Sequence, residues 1–313
     1  MQSVLDLKFV FVVGKGGVGK SAVSAALAMA AASQGKRVLL AMCNAKERLS
    51  YLLETKPIGP QIRTLLPNLD AVNMEPAAAL EEYGLMILKV RALYKLVFEN
   101  RFVSAFLHGT PGIDAWAMLG KAQYHAFEQD MSGRDRYDLV IVDAPATGHG
   151  LDLLRVPRVI VEVAPPGLLR REAERAWRLF SDPKRAGVLL VTLPEEMPTS
   201  ETLELEAAIR GDLGLPVCGL VVNQTLPALF DVAQLPLLQR LRAEASAHSP
   251  MRSLLIAGHA RAVREQAQAA CLTRLRASID APVAKLPLLL VDDFKKREVA
   301  VLANALTSAQ SAG

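Results

Sequence analysis

The 313-residue chain reads as an α/β protein, a parallel sheet flanked by helices. Three observations predict that class. Short apolar runs of strand length alternate with longer helical stretches along the chain. The first run, Lys8 to Val13 (KFVFVV), ends in a glycine-rich turn that opens into an alanine-rich helix, Ala22 to Ser33. A later run, Tyr137 to Asp143 (YDLVIVD), ends in an acid. Continuous apolar runs suit strands buried on both faces, and sheets of this kind bind ligands beyond the carboxyl ends of their strands.

The remaining elements follow in order. Arg37 to Met42 (RVLLAM) is a strand, and Leu69 to Met74 is read as another. Gly187 to Leu193, Val217 to Val222 and Pro282 to Leu290 supply further strands. The last helix spans about Phe294 to Leu306, and Ser308 to Gly313 reads as a frayed tail. One segment breaks the alternation. About residues 76–131 read as an inserted helical subdomain, interrupted at Gly109-Thr110-Pro111-Gly112, within a single domain of residues 1–313. Further helices are expected over about residues 167–180 and 232–279. Between Leu85 and Leu107 large apolar residues occur on more sides than one helix face. Two readings stand: packing against the sheet and a dimer partner, or a groove for an apolar client.

Composition sets bounds. With 51% hydrophobic residues the chain can bury a large core. The net charge is +4, and basic residues such as Arg170-Arg171 and Lys295-Lys296-Arg297 are dispersed, so no nucleic-acid tract is expected. Met1 to Leu7 lacks the features of a signal peptide, and no apolar run reaches membrane-spanning length, so no stable membrane insertion is expected. Cys43, Cys218 and Cys271 are far apart and form no paired motif, which points to a reducing cytoplasm without a structural zinc site.

The glycine-rich turn is Gly14-Lys15-Gly16-Gly17-Val18-Gly19-Lys20-Ser21, followed by Ala22. It fits G-x-x-x-x-G-K-[ST], the phosphate loop of nucleoside triphosphatases. The spacing has a chemical reason. Glycines let successive backbone N–H groups face the phosphates, Lys20 reaches the terminal oxygens, and the Ser21 hydroxyl holds Mg²⁺. Asp143 is the expected second partner of Mg²⁺, and ATP is the expected nucleotide. Asp143-Ala144-Pro145-Ala146-Thr147-Gly148-His149-Gly150 is a candidate switch responding to the γ-phosphate. His149 is read either as a phosphate sensor or as a turn residue.

Lys15 narrows the class. GKGGVGK[ST] resembles the deviant phosphate loop (deviant Walker A motif) of dimeric P-loop NTPases such as nitrogenase iron protein, partitioning and septum-positioning ATPases, and arsenite-pump and tail-anchored-protein-targeting ATPases. In those families the first lysine crosses to the partner's nucleotide, which would make Lys15 a catalytic cation here; the alternative is a solvated loop lysine. D-A-P-A-T-G-H-G-L is similar to the D-T-A-P-T-G-H-T-L switch of the arsenite-pump and tail-anchored-protein-targeting ATPases. Met74-Glu75-Pro76-Ala77, Pro111-Gly112-Ile113-Asp114 and Thr199-Ser200-Glu201-Thr202 are similar to further segments of that family. Val221-Val222-Asn223-Gln224 resembles its V-V-N-Q, which implies that Asn223 reads the adenine edge; capping of its strand is the other reading. Leu286-Pro287-Leu288-Leu289 resembles the loop over the base, implicating Pro287 and Leu288. The resemblance is collinear from the first strand to the last.

Two departures bear on activity. The family's first switch reads roughly D-P-A-H-N-L, and its Asp acts on the attacking water. Here Cys43 falls at the Asp and Asn44 at the Pro. A thiol is a poor replacement for a carboxylate base, and Asn44 cannot accept a proton. Glu47 is the nearby carboxylate that could stand in. The second departure is the absent C-x-x-C of some family dimers. The resemblance therefore implies an ATP-binding homodimer that handles an apolar client, such as a membrane-protein helix, with weak hydrolysis of its own. The alternatives are an impaired subunit paired with an active paralogue, and a partitioning or positioning ATPase.

Overall fold

The computed structural model describes residues 1–45, 47–88, 112–145, 149–246 and 248–308. Within them lie eight strands: β1 (Phe9–Val13), β2 (Val38–Cys43), β3 (Arg63–Leu66), β4 (Leu69–Met74), β5 (Leu139–Asp143), β6 (Ala186–Thr192), β7 (Val217–Thr225) and β8 (Val283–Pro287). They form one sheet in the order β3-β4-β2-β5-β1-β6-β7-β8. Every pairing is parallel except β3 with β4. The α/β class expected from the alternation is the class observed. The antiparallel edge strand β3 is the one strand absent from the sequence reading.

Helices cover both faces. On one face lie α1 (Gln2–Leu5), α2 (Lys20–Ser33), α3 (Leu49–Leu53) and α11 (Lys296–Ser308). The other face carries α4 (Pro76–Leu88), α5 (Ile113–Phe127), α6 (His149–Val163), α7 (Leu168–Phe180) and α8 (Glu196–Ala207). A short 3₁₀ turn (Val232–Gln234) leads into α9 (Leu235–Glu244), and α10 (Met251–Ser278) follows. The helix-rich stretch expected over residues 232–279 is thus divided into three elements.

Strand alternation divides the core in two. Phe9, Phe11 and Val13 of β1 point to one layer, where Phe9 and Phe11 pack on Phe180 with ring centroids 4.9–5.0 Å apart. Val10 and Val12 point to the other layer, against α2. That helix is buried on nearly every side through Ala25, Ala26, Ala28, Ala30 and Ala31, as expected of a helix apolar all round. Burial on both faces fixes the carboxyl ends of β1, β2, β5, β7 and β8 along one edge, where the motif residues emerge. The Leu85-to-Leu107 segment falls largely outside the described residues, as do Gly109 to Pro111, Ala146 to Gly148 of the expected switch, and the tail beyond Ser308.

Candidate functional site

The phosphate loop links β1 to α2. Gly19 caps α2 at φ +88°, a left-handed conformation that favours glycine. A Cβ at Gly14 would sit 2.2 Å from the Val191 carbonyl oxygen of β6, so the loop closes on the sheet only with glycine there. Gly16 and Gly17 are exposed, Val18 is buried, and Ala22 is half-buried at the helix start. The free N–H groups of the α2 N-terminus add a field suited to an anion.

Lys20 curls back over the loop, its Nζ donating to the Lys15 carbonyl at 3.1 Å. Burial lowers its pKa, opposed by the charge of Asp143. The Ser21 hydroxyl donates to Asp143 Oδ2 at 2.6 Å, and Ser24 Oγ lies 3.3 Å from the other carboxylate oxygen. Asp143 is buried, and that burial raises its pKa against the opposing pull of Ser21, Lys20 and Ser24. A desolvated carboxylate beside a serine hydroxyl is a donor set of hard oxygens, which fits Mg²⁺.

Lys15 forms an ion pair with Glu201 of α8 within the same chain. The second Glu201 oxygen is buried with no hydrogen-bond partner among the described residues. Asn223, near the end of β7, is buried and donates its amide Nδ2 to the Val18 carbonyl at 2.9 Å, so it buttresses the phosphate loop. Pro287 ends the neighbouring β8 and Leu288 follows it, its N–H donating to Thr225 O at 2.9 Å. They line a cavity of about 610 Å³ with Thr225, Leu226, Lys285 and the root of α10; Asn223 is not in its lining.

The loop after β2 is organised differently. Cys43 is buried in the core, and burial, reinforced by nearby Asp143, pushes its thiol pKa far above the ordinary value. A neutral buried thiol does not accept a proton from water. Asn44 has φ +46°, and its N–H donates to Met74 O at 2.8 Å. The Asn73 side chain grips Ala45 through its N–H (3.3 Å) and its carbonyl (3.0 Å), tying the loop to β4. The Glu47 carboxylate accepts from Ser50 N–H at 2.7 Å and Ser50 Oγ at 2.5 Å, capping α3. Glu47 is thus occupied as a helix cap.

Cys43, Asn44 and Pro145 border a second cavity of about 710 Å³ whose lining includes Asp114, Asp152 and Arg155. The sequence reading assigned no chemistry to these acids. Asp114 carried a signal as the end of the family-like segment Pro111 to Asp114, and Asp152 only its place in the first turn of α6.

Residues 7–164 match a protein family described as anion-transporting ATPase, a span holding the phosphate loop, the Cys43 loop and Asp143. The chain is similar to ATPase BagA of Mycobacterium tuberculosis, 27% identical over 259 residues, covering 79% of this chain and 73% of that protein. It is similar to ATPase GET3 of Kluyveromyces lactis, 27% identical over 260 residues, 72% of this chain and 74% of that protein. An arsenical pump-driving ATPase of Escherichia coli is 28% identical over 235 residues, 70% of this chain and 40% of that protein.

Proposed function

Because the chain belongs to the anion-transporting ATPase family, we propose that it is a Mg²⁺-dependent, ATP-binding dimer. In this reading nucleotide controls its hold on an apolar client or partner protein, and its own hydrolysis is weak. The observation that carries the reading is the Ser21–Asp143 pair at 2.6 Å beneath a complete phosphate loop. Mg²⁺ held there would neutralise charge on the terminal phosphates. Lys20 binds phosphate oxygens, the loop N–H groups orient them, and Asn223 reads the base while Pro287 and Leu288 cover it. Lys15 leaves Glu201 and crosses to the partner's nucleotide. The segment inserted after β4 supplies the client surface.

The dimer is a homodimer or a pair with an active paralogue. The buried, protonated Cys43 favours the second arrangement, since this chain then lends Lys15 to a site with an intact base. The reading places the protein in the cytoplasm; no described helix is long and apolar enough to cross a membrane. Calorimetric titration of ATP with and without Mg²⁺ tests the central claim. Lys20→Ala should weaken binding at least tenfold, since a charge-assisted contact contributes about 1.5–3 kcal/mol. Unchanged affinity would remove the reading.

A further inference from the structure

The α9–α10 hairpin stands apart from the nucleotide chemistry. Residues 235–264 carry five arginines (Arg240, Arg242, Arg252, Arg261, Arg264) against one acid, Glu244, a balance equal to the +4 of the whole chain. Helix α9 buries no residue, and α10 buries none before Ala262. Six of the fifteen large exposed hydrophobic side chains among the described residues lie in this stretch, Leu254 at 63% exposure and Met251 at 52% among them. The hairpin is nonetheless firmly rooted. Glu265 accepts from the N–H groups of Leu229 and Phe230, Gln268 bonds both backbone groups of Leu226, and Arg274 pairs with Glu196 of α8.

The directions of these side chains decide what could cover them. Leu254 and Ile256 are two positions apart on α10, hence about 200° apart around its axis. Leu237 and Leu241 project from α9, one turn apart. A rigid protein groove covers one side of a helix. A second copy of this chain would bring arginines against arginines. A fluid anionic headgroup layer surrounds an apolar tip from all sides and balances its cations.

We propose that the α9–α10 hairpin docks peripherally on an anionic lipid surface, with Met251, Leu254 and Ile256 entering the headgroup layer and Arg240 and Arg252 meeting lipid phosphates. Among the described residues Arg240 has no ion-pair partner, and the Arg252 guanidinium donates only to the Ala245 carbonyl, at 3.1 Å. The inference is independent of the nucleotide reading.

Sedimentation of the full-length protein with lipid vesicles tests it. Binding is expected to phosphatidylcholine vesicles containing phosphatidylglycerol, not to phosphatidylcholine alone, and to weaken as salt rises. Each basic residue at such a surface is worth about a fivefold change in partitioning. The double variant Arg240→Glu, Arg252→Glu should therefore lose at least about twentyfold, while Arg240→Lys, Arg252→Lys keeps most of the binding. Leu254→Asp should also detach. All three sets should retain wild-type ATP affinity and circular dichroism, which separates loss of docking from loss of fold. No sedimentation with the anionic vesicles, equal sedimentation with both lipids, or undiminished binding by the glutamate variant would overturn the proposal. The first of these outcomes would assign the hairpin to an acidic protein instead.

Discussion

Two loops leave one sheet edge on either side of β5, and they have opposite characters. The loop after β1 combines glycines with a lysine, a serine and the neighbouring Asp143, so its polar groups converge on one space. The loop after β2 turns its functional position inward: Cys43 lies in the core, Asn73 ties Ala45 to β4, and Glu47 caps α3. Both follow buried parallel strands of similar composition. The difference shows that a strand end supplies a place for polar groups to converge, and that the residue type at that place decides whether they face the open loop or the core.

The largest expected effect concerns hydrolysis. Without a carboxylate at position 43, the purified chain should turn over ATP about 10²–10⁴-fold more slowly than a site with a general base. Because burial holds the Cys43 thiol in its protonated form, Cys43→Ala should leave that rate within about twofold. Phosphate release measured on both proteins checks this. A brisk rate that collapses in Cys43→Ala would make the thiol a participant and erase the contrast between the loops. Asp114 and Asp152, which share the cavity bordered by Cys43 and Asn44, are the carboxylates to replace with Asn if the rate is brisk but insensitive to Cys43.

A pH series sharpens the other side of the comparison. Burial raises the pKa of Asp143, so its charged form is disfavoured without a cation. The deprotonated form is the one that would hold Mg²⁺. Lowering pH from neutrality toward that raised pKa should therefore weaken Mg²⁺-dependent ATP binding, and Asp143→Asn should flatten the dependence. In the protein without Mg²⁺ the sign for folding is set by the same shift. The folded state holds the proton more tightly than the unfolded state, so Asp143 contributes stability at low pH and loses it as pH rises through its folded pKa. Binding that stays constant across the acid range would show that Asp143 is not the group that takes the cation.

Much of this contrast was legible in the sequence. Phosphate loops are written in glycine spacing, and buried strands in apolar runs, so β1, β2, β4, β5, β6 and β7 emerge within a few residues of their bounds. Strand β3 did not, because Arg63-Thr64-Leu65-Leu66 sits on an exposed edge and carries no such run. The bond from Asn223 to the Val18 carbonyl joins residues 205 positions apart, a distance no local pattern encodes. The role of Glu47 was hidden for a different reason: a carboxylate three residues before a serine suits both a cap and a base. The exposed α9–α10 tip was invisible because periodicity reports apolar faces without saying what covers them.

Asn223 offers a smaller effect that separates two roles at the first loop. One hydrogen bond contributes about 0.5–1.5 kcal/mol, so Asn223→Ala should weaken ATP several-fold through loss of the Val18 contact. If the amide also reads the base, the ratio of ATP to GTP affinity should fall as well, and that fall is the expected result. Competition titrations with both nucleotides check it. Equal weakening of the two would leave Asn223 a buttress alone.

The smallest effect lies at the opposite end of β2, away from both loops. Arg37 and Asp138 tie the starts of β2 and β5 through Nε at 3.0 Å, Nη2 at 2.6 Å and the Arg37 backbone N–H at 2.8 Å. The guanidinium, first through its hydrogen bond, holds the Asp138 pKa below the ordinary carboxylate range. A depressed carboxyl pKa contributes stability above the unfolded value, and that stability disappears as pH falls through the folded value. Both side chains are more than a third exposed, so solvent screening limits the pair to about 0.5–1 kcal/mol. Asp138→Asn should thus lower the unfolding free energy slightly at neutral pH, lose its effect in acid, and leave ATP affinity unchanged. Denaturant titrations at both pH values, with calorimetry of ATP binding, measure all three. A change in nucleotide affinity would mean that strain at the foot of β2 reaches the loop at its head, and that the two loops are mechanically coupled and not merely neighbours.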